Sequence, residues 1–393
     1  MRAVSRRRLI QLGLALLCSV AISSSLTAAD RFEGPAWPDF RNGFALHGIA
    51  DGTLPDDLQL LWEVTTPDGV TSTPAIAQGR VYAGTISGDL LCLDLKTGKE
   101  FWKYHSIESV DPDEFAPGFL APVTIDASTV FVGDDSGVFH AVERDTGKKR
   151  WTFETDGEII GGATLLGDSR VMVGSHDGRL YCLDRKTGKE VWQFDTQGPI
   201  NGSQALAGQF TFVTGCDKPI LRVVNVEGGT EETEIPIESL LIASPALRGD
   251  NLYFGTDSGE VIAMNWKDQA IAWTYADPSR QQQIHSSPAV TDDVVVIGSR
   301  DKRVHCIDRA TGKPRWTYAT RAKIDCSPVI AGNRVVFGSA DKNLYMVNLE
   351  DGSEVWKYNT GQSITGSPAV VGGYMVIGTD QVDGRILCFG PKP

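Results

Sequence analysis

The sequence predicts an all-β, eight-bladed propeller of four-stranded antiparallel blades, and three observations predict it. One phrase recurs along the chain: "RLYCLDRKTGKEVWQF" at 179–194 returns as "LLCLDLKTGKEFWKY" from Leu90, "FHAVERDTGKKRWTF" from Phe139, "VHCIDRATGKPRWTY" from Val304 and "LYMVNLEDGSEVWKY" from Leu344. A second, shorter signal ("STPAI", "APVTI", "GGATL", "GSQAL", "ASPAL", "SSPAV", "CSPVI", "GSPAV") appears eight times ahead of these phrases. The last unit is one strand short, while a tryptophan-bearing strand without a repeat of its own stands near the front. Self-similarity at a fixed period is the signature of a repeat architecture and governs every later reading.

The first 29 residues read as a secretory signal peptide: Arg2, Arg6, Arg7 and Arg8, an apolar run from Leu9 to Ile22, then small residues at Thr27 and Ala29. The run is shorter than the roughly 20 residues a bilayer span needs. "SRRRLI" fits the general secretory route and also resembles a twin-arginine signal. Cys18 follows Leu17, where a lipidation motif needs a small residue, so lipidation is not expected there. Cleavage removes four arginines and no acid, leaving 33 basic and 50 acidic residues, a balance of −17. Such a chain is a poor partner for nucleic acid. No later segment is long and apolar enough to be a transmembrane helix, and a monomeric propeller of the periplasm or cell envelope is the expectation.

Residues 30–57 read as a leader that packs on the propeller or links to it, with Trp37 and Phe40 laid on its surface and Arg41 at the rim. Residues 58–66 read as the closing strand, in which Trp62 pairs with the C-terminal strands and hides the edges of an otherwise open array. The propeller spans 58–389, with blades beginning near residues 72, 121, 161, 202, 243, 286, 326 and 366. The third position of each short signal (Pro74, Pro122, Ala163, Gln204, Pro245, Pro288, Pro328, Pro368) gives spacings of 48, 41, 41, 41, 43, 40 and 40. Four strands of about six residues with short turns use about that length.

In "LDRKTGKE", Asp184 caps a turn through its side chain and Gly188 supplies a positive φ. Four residues on stands a tryptophan, at Trp102, Trp151, Trp192, Trp316 and Trp356, with Trp273 in the corresponding strand. Together with Trp62 these rings are expected to wedge each blade against the next, because blades diverge with distance from the axis. Blade four, with "VEGGTEETEIPI", lacks the ring and is expected to be locally weaker.

The phrase Asp/Asn-x-x-Thr-Gly-Lys-x-x-Trp, once per blade after a small-Ser-Pro-Ala signal, resembles the repeat of the PQQ-like β-propeller family. That family contains PQQ-dependent alcohol dehydrogenases and BamB-like outer-membrane assembly factors. "WPDFRNGFALHGIADG" from Trp37 is similar to the leader of exported members. The resemblance covers about 58–389 and implies the fold far more than the function. A quinoprotein dehydrogenase implies calcium beside the cofactor, a catalytic aspartate, a tryptophan floor and often two adjacent cysteines. This chain has no adjacent cysteines and little length for insertions. Only the loop 105–120 is long, and its Asp111, Asp113 and Glu114 are hard-oxygen candidates for calcium, or simply a solvated acidic loop. No catalytic residue and no metal ligand is assigned.

Cys92, Cys182, Cys306 and Cys388 share one position on the third strand and read as small buried packing residues; a Cys216–Cys326 bridge is left open. No phosphate-binding loop, zinc motif or nucleophile elbow appears. Ligand candidates therefore come from the channel mouth. Three residues back from each marker stand Thr71, Phe119, Ile160, Asn201, Ile242, His285, Asp325 and Thr365. A His285–Asp325 pair across neighbouring blades would raise the histidine pKa. Arg300, Lys302, Arg303, Arg321, Lys323 and Lys342 add a basic sector beside Asp301, Asp325 and Asp341. The expected function is a non-catalytic, BamB-like interaction or assembly scaffold with an envelope protein partner and no cofactor. The alternatives are a PQQ- and calcium-binding oxidoreductase and a periplasmic anion sensor.

Overall fold

The computed structural model describes residues 32–108, 115–215 and 218–392. The signal segment with Cys18, the loop acids Asp111, Asp113 and Glu114, and Cys216 lie outside them. Among the described residues there is no helix, and the strands form eight antiparallel sheets arranged as a propeller. In each blade strand one lies innermost and strand four outermost. The seventh blade, for example, runs Val329–Ala331, Arg334–Gly338, Asn343–Asn348 and Glu354–Asn359.

The eighth blade is completed from the other end of the chain. Gln59–Thr65 pairs antiparallel with Arg385–Gly390, placing Trp62 opposite Cys388 and Glu63 opposite Leu387. The last sheet is thus closed by the first repeat-like strand, and the ring has no open blade edge at its seam.

The recurrent phrase is explained by contacts between blades rather than within them. Each fourth-strand tryptophan sits at a bulge, where the register slips beside the third strand, as between Cys182 and Leu183. Its indole Nε1 donates to a backbone carbonyl of the next blade: Trp62 to Leu95, Trp102 to Arg144, Trp151 to Arg185, Trp192 to Val226, Trp273 to Arg309, Trp316 to Leu349 and Trp356 to Leu58. In six of the seven, all but Trp356, the ring then lies over the glycine of that neighbour's turn. At Gly188 the backbone has φ +71°, and a Cβ there would stand 2.6 Å from Cδ2 of Trp151. The Thr-Gly step is therefore demanded twice, by the turn and by the indole above it. Asp184 closes the same turn, accepting from Thr187 N at 2.8 Å and Thr187 Oγ1 at 2.7 Å.

Blade four lacks the fourth-strand indole, as expected, but its seam is not left empty. Thr233 occupies the tryptophan's place opposite Val223, but the gap is filled from blade five. Trp266 stands where other blades only offer the accepting carbonyl, and its ring packs 5.5 Å from Phe210 and 5.3 Å from Phe212. Indole reaches backward across this one seam instead of forward.

The third-strand cysteines Cys92, Cys182, Cys306 and Cys388 are free and fully buried, as is Cys326. Burial pushes the thiols of Cys92, Cys306, Cys326 and Cys388 up to about 12 and that of Cys182 to about 11, so they are inert packing groups.

The leader is not a surface strap. It enters the axial channel at the face carrying the Thr-Gly turns and contacts the inner strands around the ring. Ala36–Trp37 pairs with Ala75–Ala77 of blade one. The N–H groups of Ile125, Leu206, Leu247, Val290 and Ile330, the same inner-strand position in five blades, donate to the carbonyls of Pro38, Phe44, Ala45, His47 and Gly48. The N–H of Ala50 returns a bond to Ile330. Trp37 and Arg41 are both 0% exposed, so the expected rim position of Arg41 is wrong: its side chain is folded back over its own loop. A Cβ on Gly48 would overlap the guanidinium. Arg41 Nη2 donates to Pro288 O at 2.8 Å, whereas Nε and Nη1 have no partner among the described residues. Burial lowers its pKa to about 9.

Candidate functional site

Because the leader bonds to the inner strands from one face, the candidate ligand residues gather on the opposite face, called here the crown. It is built from the loops between strands two and three and between one blade's fourth strand and the next blade's first. Seven of the eight expected mouth residues are half-buried there: Thr71, Ile160, Asn201, Ile242, His285, Asp325 and Thr365. The eighth is a correction. Blade two begins its inner strand at Thr124, so its marker is Val123 rather than Pro122, and Phe119 falls one layer down, fully buried against Gly84. Leu120 takes its place at the mouth, half-buried.

Below the mouth lies a belt that sequence reading passed over. Gly162 N donates to Ser203 Oγ at 2.8 Å, Ser203 N to Ser244 Oγ at 2.7 Å, Ser244 N to Ser287 Oγ at 3.1 Å, Ser287 N to Ser327 Oγ at 2.9 Å and Ser327 N to Ser367 Oγ at 3.0 Å. Each hydroxyl stitches the inner strand of the preceding blade to its own. The signal was present: serine stands just before the marker in five successive units.

The basic sector is real, but its pairing differs from expectation. Arg300 grips Asp325 with two bonds, Nε to Oδ1 at 2.8 Å and Nη2 to Oδ2 at 3.2 Å, and Lys323 Nζ adds a third at 2.7 Å. Burial alone would raise the Asp325 carboxyl; the bonds from Arg300 and Lys323 outweigh it and hold the group below the usual carboxylate range. Asp325 is therefore committed to cations, and His285 does not pair with it. Nε2 of His285 lies 3.8 Å from Asp257 Oδ1 and makes no hydrogen bond. Burial first, and Arg300 second, lower its pKa instead of raising it.

Of the other candidates, Asn201 Oδ1 meets His176 Nε2 at 2.7 Å and Thr365 Oγ1 donates to Asp380 Oδ2 at 3.0 Å. Arg303 is turned away to Asp277, at 2.8 Å. Lys302 and Lys342 occupy left-handed turn positions, each with φ 74°, and are exposed with Arg321. Among the described residues these three cations make no ion pair. The crown thus joins an apolar arc (Leu120, Ile160, Ile242) to an arc with surplus positive charge.

The structure also joins residues that no motif connected. Tyr275 OH meets His305 Nδ1 at 3.1 Å, and His305 Nε2 meets Asp301 Oδ2 at 3.0 Å. Blade two repeats the relay with Tyr104, His140 and Asp134, at 2.9 Å for both contacts. The relays cross the blade seam, since each tyrosine comes from the preceding blade.

Two depressed histidines predict a pH dependence. His47, in the leader, meets Leu247 O at 2.6 Å, and burial with Arg248 lowers its pKa, as burial lowers that of His285. The unfolded chain takes up protons near the ordinary 6.5 that the native chain refuses, so stability is full above that value and falls as pH drops through it. Denaturant midpoints measured from pH 7.5 to 5 should decline, and His47→Asn should make the decline shallower; an unchanged slope refutes the assignment.

Comparison with known proteins agrees with this geometry. The profile of a family described as outer membrane protein assembly factor BamB matches residues 53–111, 108–239, 160–286 and 276–392. A BamB of Shewanella oneidensis is 24% identical over 332 residues, 77% of this chain and 79% of that one. A BamB of Xanthomonas campestris is 32% identical over 93 residues, so that alignment spans only 23% of either chain. Among solved structures, BamB from Moraxella catarrhalis superposes with a TM-score of 0.69 at 20% identity, covering 85% of this chain and 100% of that one. Quinohemoprotein alcohol dehydrogenase from Comamonas testosteroni does so with 0.78 at 12% identity, covering 93% and 82%. At those identities the two structures speak for the fold, while the profile spans nearly the whole propeller: the chain belongs to the PQQ-like propeller family described as outer membrane protein assembly factor BamB.

Proposed function

We propose that the protein is an exported, non-catalytic scaffold of the cell envelope that docks a partner protein on the crown of blades six and seven. The observation that carries this reading is the surplus of unpaired cations there. Lys302, Lys342 and Arg321 stand in solvent without carboxylate partners among the described residues, in a chain whose overall balance is strongly acidic. Locally concentrated charge against an opposite background steers a complementary, acidic surface and fixes its register. The neighbouring apolar arc of Leu120, Ile160 and Ile242 supplies area to cover.

The quinone cofactor suits this mouth poorly. A planar quinone needs an aromatic floor, and the seven fourth-strand indoles are all engaged in seams between blades. Asp325, the mouth carboxylate, already carries two cations instead of offering oxygens to calcium. No reaction step is assigned.

The test is a triple variant, Lys302→Glu, Arg321→Glu and Lys342→Glu, which touches no ion pair among the described residues and should melt within about 0.5 kcal/mol of the parent. Photo-crosslinkers placed at Thr71 and Thr365 should trap one envelope protein with the parent chain. The variant should trap about tenfold less, and raised salt should weaken the parent in the same direction. Equal trapping by both chains overturns the crown assignment, and a rise in Tm on adding PQQ with calcium overturns the non-catalytic reading.

A further inference from the structure

Three departures from the blade template converge at one point on the crown side of blade six. At the exit of the fourth strand, Thr66, Thr155, Thr196, Thr320 and Thr360 each donate a hydroxyl to nearby backbone carbonyls. The blade five exit has Asp277 instead. The loop that follows, Tyr275 to Ile284, is three residues longer than six of its seven counterparts, such as Tyr318 to Ile324, and is exceeded by the loop leaving blade one. On the facing strand, Tyr181 and Tyr345 hand a hydroxyl proton to Asp177 and Asp341 in blades three and seven, at 2.6 and 2.7 Å. Blade six keeps the aspartate, Asp301, but replaces the tyrosine with His305.

A template broken at three places that meet in space calls for a reason other than blade packing. One ligand atom from each of Asp277, Asp301 and His305 lies within 4.8 Å of the others. The Asp301 and His305 side chains are 1% and 4% exposed, and that of Asp277 10%. They border a cavity of about 10 Å³, room for one water or one ion, whose lining also includes Tyr275, Gln282 and Ser299 and the apolar Val261 and Ile284. His305 Nε2 points at Asp301, while Nδ1 is held by the Tyr275 hydroxyl, the outer contact that fixes ring orientation in histidine metal sites. Arg303 neutralises one carboxylate through Asp277 Oδ2, and Ser279 holds Oδ1 from its hydroxyl at 2.7 Å and its N–H at 2.8 Å. Arg280 also borders the cavity. Asp301, in contrast, is 1% exposed and meets no arginine or lysine side chain among the described residues, a buried carboxylate that a cation would relieve.

We propose that Asp277, Asp301 and His305 bind one divalent metal of the zinc class, with a water from the cavity as fourth ligand. An imidazole nitrogen with two carboxylates and an open position suits zinc, whereas calcium takes six to eight oxygens and magnesium an octahedron of them. Binding exchanges the His305 Nε2–H···Asp301 bond for a metal bridge. The imidazole proton moves from Nε2 to Nδ1 and is donated to the Tyr275 oxygen, whose hydroxyl rotates to turn its own proton away from the ring, so no proton is gained or lost at the site. The site pins the long loop between blades five and six to the third strand of blade six, and it does not depend on the scaffold reading above. Blade two is the internal control: its Tyr104–His140–Asp134 relay has Ser106 where Asp277 stands, and so lacks a third ligand.

The experiment uses the untagged mature protein, stripped with chelator and given zinc sulfate at micromolar concentration. Two variants restore the residues of sister blades and so preserve the template: Asp277→Thr and His305→Tyr. The parent should retain one zinc per chain by elemental analysis, melt several degrees higher with zinc than without, and show nitrogen and oxygen neighbours in zinc-edge absorption. Each variant should bind about 100-fold more weakly and lose the Tm shift, while His176→Asn, elsewhere on the crown, leaves uptake unchanged. Circular dichroism establishes that the variants fold, and Asp277→Asn replaces whichever does not. Failure of the parent to retain zinc, or equal retention by Asp277→Thr, overturns the proposal.

Discussion

A Trp62→Ala chain is expected to lose about 3–5 kcal/mol of stability, the cost of emptying a large aromatic site in a packed core. Trp62 is 8% exposed, donates to Leu95 O at 2.9 Å, and covers Gly98 of the first blade from a strand belonging to the eighth. The ring therefore fastens to blade one the strand whose pairing with Arg385–Gly390, inside blade eight, is the one junction of the circle that the chain does not cross. Loss of an indole at another seam, as in Trp192→Ala, creates a similar cavity, but there the fourth strand stays covalently joined to the third strand of its own blade. Trp62→Ala should accordingly also speed unfolding, because opening the closing strand exposes an unpaired blade edge. Denaturant unfolding with fluorescence-detected kinetics checks both expectations. A loss below about 1 kcal/mol, or an unfolding rate equal to that of Trp192→Ala, would show that closure does not rest on this contact.

The leader should give substitutions of opposite sign at neighbouring positions. Trp37 is 0% exposed in the core shared by blades one, seven and eight, so Trp37→Ala should cost about 3–5 kcal/mol. Arg41 is equally buried but pays for its charge: one hydrogen bond to Pro288 O, two nitrogens without partners, and a pKa drawn down to about 9 by desolvation. Replacing a buried charge of this kind by an apolar side chain of similar volume is neutral or stabilising by about 1–4 kcal/mol, so Arg41→Met should be at least as stable as the parent at neutral pH. The advantage should shrink above pH 9. The native guanidinium there begins to lose its proton while the unfolded one, near 12.5, keeps it, which removes the cost of burial. Thermal melts at pH 7 and 10 test the pair. A destabilised Arg41→Met would mean that the orphaned nitrogens find partners in solution.

Much of the fold was legible because its information is local and repeated. The Asp-x-x-Thr-Gly turn and the tryptophan four residues on encode a hairpin and a wedge within some ten residues, and five near-copies average out single departures. Phe119 was misplaced by one layer because blade two uses Ala-Pro-Val-Thr, in which the proline sits one residue early; only the pairing of Thr124 with Phe131 sets the frame. Trp266 was not recognised as the filler of blade four because it lies in a turn, outside the strand position at which the motif places indoles. The crown was legible as a set of loops, but its chemistry was not. Asp325 was matched with His285 from adjacency of blades, and the longer reach of Arg300 and Lys323 won.

From sequence alone came the circle itself: the number of blades, the strand that closes it, the indoles between them, and the side of the ring on which the variable loops gather. These follow from periodicity, because a blade that cannot bury both faces must stack on its neighbour. The tertiary structure alone decided what fills the axis and how the charges pair. A leader without a repeat carries no period to read, and its course follows from unpaired inner-strand N–H groups that only the assembled ring presents. The Asp277–Asp301–His305 cluster is of the same kind. Its members come from two blades and a loop of unusual length, and they become neighbours only when the seam between those blades is packed.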